Sequence, residues 1–196
     1  MTPAEAAKQA QKPVIRFVGF TDAWEQRKLG ELFDSGGSGG TPSASNSAYY
    51  DGNINFLGIS DVHERFISET KKTITQKGLQ NSAAWVVPKG TLSLAMYASV
   101  GVVGICSIET ATSQAFYNMI FRSNSLRDFV FTRLEKANQE REWEPLVSTG
   151  TQRNLNSAKV KGFAIGVPGE EETSKIASFF LAVDNAIVLH QRELFL

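Results

Sequence analysis

Short blocks of apolar residues separated by polar and turn-forming ones fill the middle of the chain. Runs at Ile54 to Ile59, Ala84 to Val87, Thr91 to Tyr97, Val100 to Cys106 and Ala115 to Phe121 are bounded by Gly, Pro, Asn or Ser, a pattern that predicts strands. At Ser125 the rhythm changes. Leu126, Phe129, Val130, Leu134 and Ala137 share one face of a predicted helix, with Ser125 as its N-cap and its end near Glu144-Pro145. A last strand is expected at Phe163 to Val167. From Glu170 onward Ile176, Phe180, Val183, Ile187, His190 and Leu194 recur at spacings of 4, 3, 4, 3 and 4, the seam of a coiled coil that requires a partner helix. Glu170, Glu171 and Glu172 suit the positive end of that helix's dipole, and no C-cap follows Leu194, so the helix reads as cut short.

Upstream, Thr2-Pro3-Ala4-Glu5 has the arrangement of a capping box, which predicts a short helix to about Gln11. Trp24, Leu29, Leu32 and Phe33 are the expected anchors where the chain joins the core. Ser35 to Ser47 reads as a loop that bends at Gly36, Gly37, Gly39 and Gly40, and Gly78 and Gly90 read as turn or cap positions. The expected fold class is α+β: an N-terminal extension (1–20), a mixed β-rich domain with flanking helices (21–167) and a C-terminal coiled-coil-forming spacer helix (168–196).

The chain has 196 residues, 42% of them hydrophobic and 20% charged, enough to bury a core. The single Cys106 has no disulfide partner and no neighbouring ligand for a structural metal, which suits a reducing cytoplasm. The uncharged run from Gly90 to Ile108 is broken by Gly, Ser and Thr and reads as buried strands, not a membrane span. Lys8, Lys12 and Arg16 interrupt any signal-peptide pattern.

Net charge is zero, but residues 1–64, 65–161 and 162–196 carry −3, +6 and −3. A basic centre between acidic ends is compatible with one phosphate-facing surface, although such imbalances also arise in ordinary solvated proteins.

Enzymatic patterns are weak. The glycine loop lacks the Gly-Lys-Ser/Thr ending of a P-loop. Glu69-Thr70-Lys71, with Asp61 or Asp51, matches the E-x-K of a metal-dependent nuclease, but is more simply a basic turn. His63 and His190 are too few and too separated for a metal cage or a triad, and no Asn/Asp-Pro-Pro-Tyr/Phe tetrad of an adenine methyltransferase occurs. No cofactor or metal is expected. Side chains suited to base edges lie on predicted loops: Lys71, Lys72, Gln76, Lys77 and Asn81; Tyr97 and Ser99; Gln114; and Thr151, Gln152, Arg153 and Asn154. Each alone is more often a solvated surface residue.

One ordered series of short motifs goes further. It comprises Trp24-Glu-Gln-Arg-Lys-Leu-Gly-Glu, Gly39-Gly40-Thr41-Pro42-Ser43, Tyr49-Tyr50-Asp51-Gly52-Asn53-Ile54, Gly78-Leu79, Val87-Pro88-Lys89-Gly90-Thr91-Leu92, Ser99-Val100-Gly101, Gln114-Ala115 and Gly150-Thr-Gln-Arg-Asn-Leu-Asn. The series resembles the target-recognition domain of the specificity subunit of type I restriction-modification enzymes. One departure is Glu172-Thr173-Ser174 before Lys175-Ile176-Ala177, where that family usually has Glu-Gln. The resemblance implies a non-catalytic chain that reads half of a bipartite site on double-stranded DNA. It also implies methyltransferase and endonuclease subunits as partners, and a homodimer formed through the C-terminal helix. The alternative is a β-rich module that binds something other than DNA and oligomerises through its helix, a reading favoured by the neutral net charge.

Overall fold

Leu92–Ala95 (β7) and Val103–Cys106 (β8) are buried at every position, and Phe116–Ile120 (β10) at all but its last. Continuous apolar runs of this kind form strands covered on both faces, and here they make the centre of the fold. The computed structural model describes Pro13 and residues 15–148 and 154–193. With Ser35–Gly37 (β2) and Phe66–Ile67 (β4) the central strands form a five-stranded sheet of order β2-β10-β7-β8-β4, antiparallel except for the β4–β8 pair. A second sheet, β5-β3-β9-β6, combines Lys72–Ile74 (β5), Tyr50–Phe56 (β3), Thr110–Thr112 (β9) and Trp85–Val87 (β6). Glu25–Lys28 (β1) pairs antiparallel with Ala164–Val167 (β11).

The helices are Gln76–Gln80 (α1), Asn124–Gln139 (α2), Ser157–Gly162 (α3) and Glu170–Glu193 (α4). Helix α2 starts two residues before its expected position, because the Ser123 hydroxyl, not that of Ser125, accepts the Leu126 amide at 3.2 Å. It ends at Gln139, and Glu144–Leu146 is a separate 3-10 turn. Phe129, Val130, Phe131, Leu134 and Ala137 of α2 enter the main core with Leu29, Leu92, Leu94, Ile105, Met119, Trp143, Leu155 and Ile165. Leu29 and Leu32 are buried as expected, whereas Trp24 and Phe33 are half-buried against the same cluster. Part of the expected Ser35–Ser47 loop is strand: β2 pairs through its backbone with Asn118, Met119 and Ile120. Gly78 lies inside α1. The expected N-terminal helix falls outside the described residues.

A buried polar cluster joins the two sheets. The Asn118 amide nitrogen donates to Thr112 Oγ1 at 2.8 Å and to the Gly37 carbonyl at 3.2 Å, while its oxygen accepts from Ser93 Oγ at 2.8 Å. Ser93, Thr112 and Asn118 have no exposed surface. Beside them burial pushes the Cys106 thiol above its ordinary pKa, with its contact to Ser93 opposing.

Helix α4 lies along α2. Glu172 and Thr173 are buried in its first turns, and Ala177 is the last fully buried position. Arg16 grips the Glu172 carboxylate with two nitrogens at 2.6 and 2.7 Å, and Trp24 Nε1 donates to the same group at 3.1 Å. The predicted seam therefore splits. Ile176 packs on the main core, whereas Phe180, Val183, Ile187 and His190 are exposed and Leu194 lies outside the described residues. Among the described residues no helix is long and apolar enough to cross a membrane.

Candidate nucleic-acid interface

Backbone contacts bring three of the sequence-selected residues to one end of the sheet. The β10–β7 register sets Phe116 opposite Ala95, and the next step is carried by the Met96 amide donating to the Ala115 carbonyl at 2.7 Å. Beyond that step β10 has ended: Gln114 and Ala115 lie in a turn closed by the Phe116 amide donating to the Ser113 carbonyl at 3.3 Å. The Met96 carbonyl accepts the Leu155 amide at 2.9 Å, and Tyr97 forms an antiparallel bridge with Asn154. Tyr97, its bridge partner Asn154 and the turn that carries Gln114 thus gather at one end of the five-stranded sheet. The adjoining tight turn has Ala98 at φ 57° and Gly101 at φ 92°, and it exposes Ser99.

The glycine loop closes on the same sheet end. Thr41 Oγ1 donates to Gln114 Oε1 at 2.9 Å, and the Tyr50 hydroxyl donates to the Pro42 carbonyl at 2.6 Å. Gly39 passes directly against the Thr112 carbonyl and the Trp85 amide, which leaves no room for a side chain, and Gly40 lies against Ala83. Ala83 follows α1 and Asn81, so that helix borders the loop. Gln76 and Lys77 are exposed on α1. Thr75 caps it by accepting the Gly78 amide at 3.0 Å, and Asn81 spends one donor on the Lys77 carbonyl at 2.8 Å.

Lys71 and Lys72 lie elsewhere, at the start of the edge strand β5, where Lys72 pairs with Phe56. Thr151, Gln152 and Arg153 lie outside the described residues. Sequence reasoning missed Thr41, although the Gly-Gly-Thr-Pro-Ser loop carries it; only the fold reveals that its hydroxyl meets Gln114.

The described cations divide by residue type. Every arginine whose side chain is described is ion-paired: Arg16 with Glu172, Arg27 with Glu31, Arg65 with Asp184 and Asp128, Arg122 with Asp34, Arg127 with Asp128, Arg133 with Glu142 and Arg141 with Glu144. Lys71, Lys72, Lys77 and Lys89 are exposed, and they join no ion pair among the described residues. The nuclease reading loses one of its two upstream carboxylates. Asp61 is buried and accepts the backbone amides of Gly58 at 2.8 Å and Lys71 at 3.3 Å. Among the described residues no three His, Cys, Asp or Glu side chains are grouped to hold a metal ion.

A β-rich module that presents loop side chains at one sheet end and carries a helix on its flank is the architecture of a recognition domain. The chain belongs to the type I restriction modification DNA specificity domain family, which matches residues 21–194. It is 25% identical over 167 residues to the type I restriction enzyme MjaIX specificity subunit of Methanocaldococcus jannaschii, an alignment covering 84% of this chain and 38% of that protein. It is 27% identical over 150 residues to the HindI specificity subunit of Haemophilus influenzae, covering 76% of this chain and 32% of that protein. The fold is similar to the crystal structure of the HsdS subunit from Thermoanaerobacter tengcongensis, with a TM-score of 0.64 at 17% identity over 96% of this chain and 44% of that one. The chain therefore spans less than half the length of each of these proteins.

Proposed function

We propose that this chain recognises DNA sequence as one half of a type I specificity subunit, reading one half of a bipartite duplex target. Residues 21–167 form the recognition domain, and 168–196 form the spacer helix. The observation that carries this reading is the Tyr97–Asn154 bridge at one sheet end with Thr41 hydrogen-bonded to Gln114 in the neighbouring turn, while exposed lysines, Lys77 on α1 and Lys71 and Lys72 at β5, supply positive charge. Gln and Asn offer paired hydrogen bonds to adenine edges, and lysines neutralise phosphates without reading sequence. Thr151, Gln152 and Arg153 extend the same segment. Methylation and cleavage belong to the methyltransferase and endonuclease subunits that would dock on the assembled specificity subunit; this chain supplies selection and needs no cofactor. The cytoplasm, where the DNA is, is the compartment that fits.

Fluorescence anisotropy on duplexes selected from a random pool tests this. Gln114→Ala is expected to cost about 1–3 kcal/mol on the selected sequence and to relax preference at one base pair. Lys71→Ala, Lys72→Ala and Lys77→Ala should weaken binding to all duplexes alike, each lowering the salt slope by about one. Binding that ignores added salt would favour a ligand other than DNA and remove this reading.

The exposed face of Phe180, Val183 and Ile187 fits pairing with a second copy, which would supply the second recognition domain that the relatives' greater length accommodates. Sedimentation should give a dimer for the natural sequence and a monomer for Phe180→Ser/Ile187→Ser, with thermal unfolding of the globular part preserved.

A further inference from the structure

One buried cation ties the recognition domain to the middle of α4. Arg65 precedes β4, and its carbonyl accepts the Ile105 amide at 2.8 Å, so its backbone belongs to the five-stranded sheet. Its guanidinium, 6% exposed, donates to Asp184 Oδ2 at 2.7 Å and to the Asp128 carbonyl at 3.3 Å, and lies 4.4 Å from the centre of the Phe131 ring. Asp184 sits four turns into α4, beyond Ala177, where Leu181, Asp184 and Val188 are only half-buried. Among the described residues, two ion pairs join α4 to the rest of the fold: Glu172–Arg16 in its first turn and Asp184–Arg65.

That arrangement has mechanical meaning. The rise of about 1.5 Å per residue makes the stretch from Ala177 to Glu193 a lever of about 24 Å. A tilt of about 10° would carry its far end by about 4 Å, more than the 3.4 Å step between base pairs. The buried guanidinium is shared by two carboxylates, Asp184 at 2.7 Å and Asp128 at 3.7 Å, so a helix that swings away leaves it with the longer contact alone, and its flat fork admits few geometries. The pair thus favours the helix angle that keeps the shorter contact. We propose that Arg65 and Asp184 are positioning residues that fix the angle of α4 against the recognition domain, and through it the spacing between two half-sites. The spacing role rests on the reading of the chain as half a specificity subunit; the mechanical role does not.

Two measurements on the full chain test the pair. Spin labels at Lys89→Cys and Gln191→Cys, diluted with unlabelled protein so that distances are intramolecular, report the helix angle; buried Cys106 stays unlabelled. A narrow distance distribution is expected for the natural sequence and for Asp184→Glu, and at least a twofold broader one for Asp184→Asn with its unfolding temperature retained. In parallel, duplexes selected on the natural sequence are remade with the half-sites moved apart or together by one base pair. Asp184→Asn should bind neighbouring spacings within about threefold of the original while keeping its affinity for a single half-site. An unbroadened distribution overturns the proposal, and broadening with spacing preference intact overturns its spacing role. If the natural sequence selects no duplex at all, the recognition reading falls and the spacing role with it, whatever the labels report.

Discussion

Gly39→Ala is expected to abolish selective DNA binding and to cost about 2–4 kcal/mol of stability, because overpacking against fixed backbone finds no rotamer to relieve it. A Cβ at this position would collide with the Thr112 carbonyl and the Trp85 amide, which belong to the paired strands β9 and β6. Neither can yield without opening that ladder. The alternative is that the loop lifts away and Thr41 leaves Gln114, so binding suffers even where the fold survives. Gly37→Ala is the control. Its nearest neighbour is the Trp85 ring at 3.5 Å, an ordinary contact, and the change should move stability by less than about 1 kcal/mol. Urea unfolding with anisotropy on a selected duplex separates the two effects; an unfolding midpoint for Gly39→Ala equal to that of the natural sequence would show that the loop tolerates displacement.

The same contacts explain what the sequence could and could not reveal. Strands β6, β7, β8 and β10 announce themselves because burial on one or both faces selects apolar residues, but β3 was legible only from Ile54 to Phe56: it begins with Tyr-Asp-Gly-Asn, and Ile59, expected as its end, opens a 3-10 turn. Strand β1 is Glu-Gln-Arg-Lys and β2 is Ser-Gly-Gly; each is held by backbone pairing to one neighbour, and nothing in either composition records it. Helix α2 was legible from Leu126, Phe129, Val130, Leu134 and Ala137, but two serines competed for its start, and which hydroxyl caps depends on backbone geometry. In α4 the spacing of the seam was readable, while its division between the core at Ile176 and exposure at Phe180, Val183 and Ile187 depends on which face of the helix turns inward, since Leu181, Asp184 and Val188 beyond Phe180 stay half-buried.

For the candidate site, residue type singled out Gln114, Tyr97 and Asn154, but their gathering at one sheet end comes from backbone contacts between segments far apart in sequence. Lys71 and Lys72 had the right chemistry and fell on another edge. The charge count for residues 65–161 suggested a basic face, yet most of its arginines are spent on internal carboxylates such as Asp128 and Glu142, leaving lysines as the free cations. Arg65 and Asp184 lie 119 residues apart, and no local pattern connects them.

The second large effect is expected at Asn118, whose replacement by Ala should cost about 3 kcal/mol, since buried donors and acceptors left unpaired each forfeit about 1–3 kcal/mol. The amide touches both sheets and the root of the glycine loop at once: Ser93 on β7, Thr112 on β9 and the Gly37 carbonyl on β2. Thr112 keeps a second partner in the Trp85 carbonyl at 3.2 Å, which limits the loss. Ser93→Ala removes a single bond and should cost about 1 kcal/mol. Asn118→Asp should be worse than Ala near neutral pH, because an ionised carboxylate would meet the Gly37 carbonyl in a site without water. Burial would hold that aspartate above the ordinary carboxylate pKa of about 3.9, so the native state would bind the proton more tightly than the unfolded chain, and stability would fall as pH rises through that range. Unfolding curves for Asn118→Asp between pH 4 and pH 8 check the sign: a variant that strengthens with rising pH would mean that the cluster admits water, and that Gly37, and with it the loop carrying Thr41 to Gln114, is anchored by its strand pairing alone.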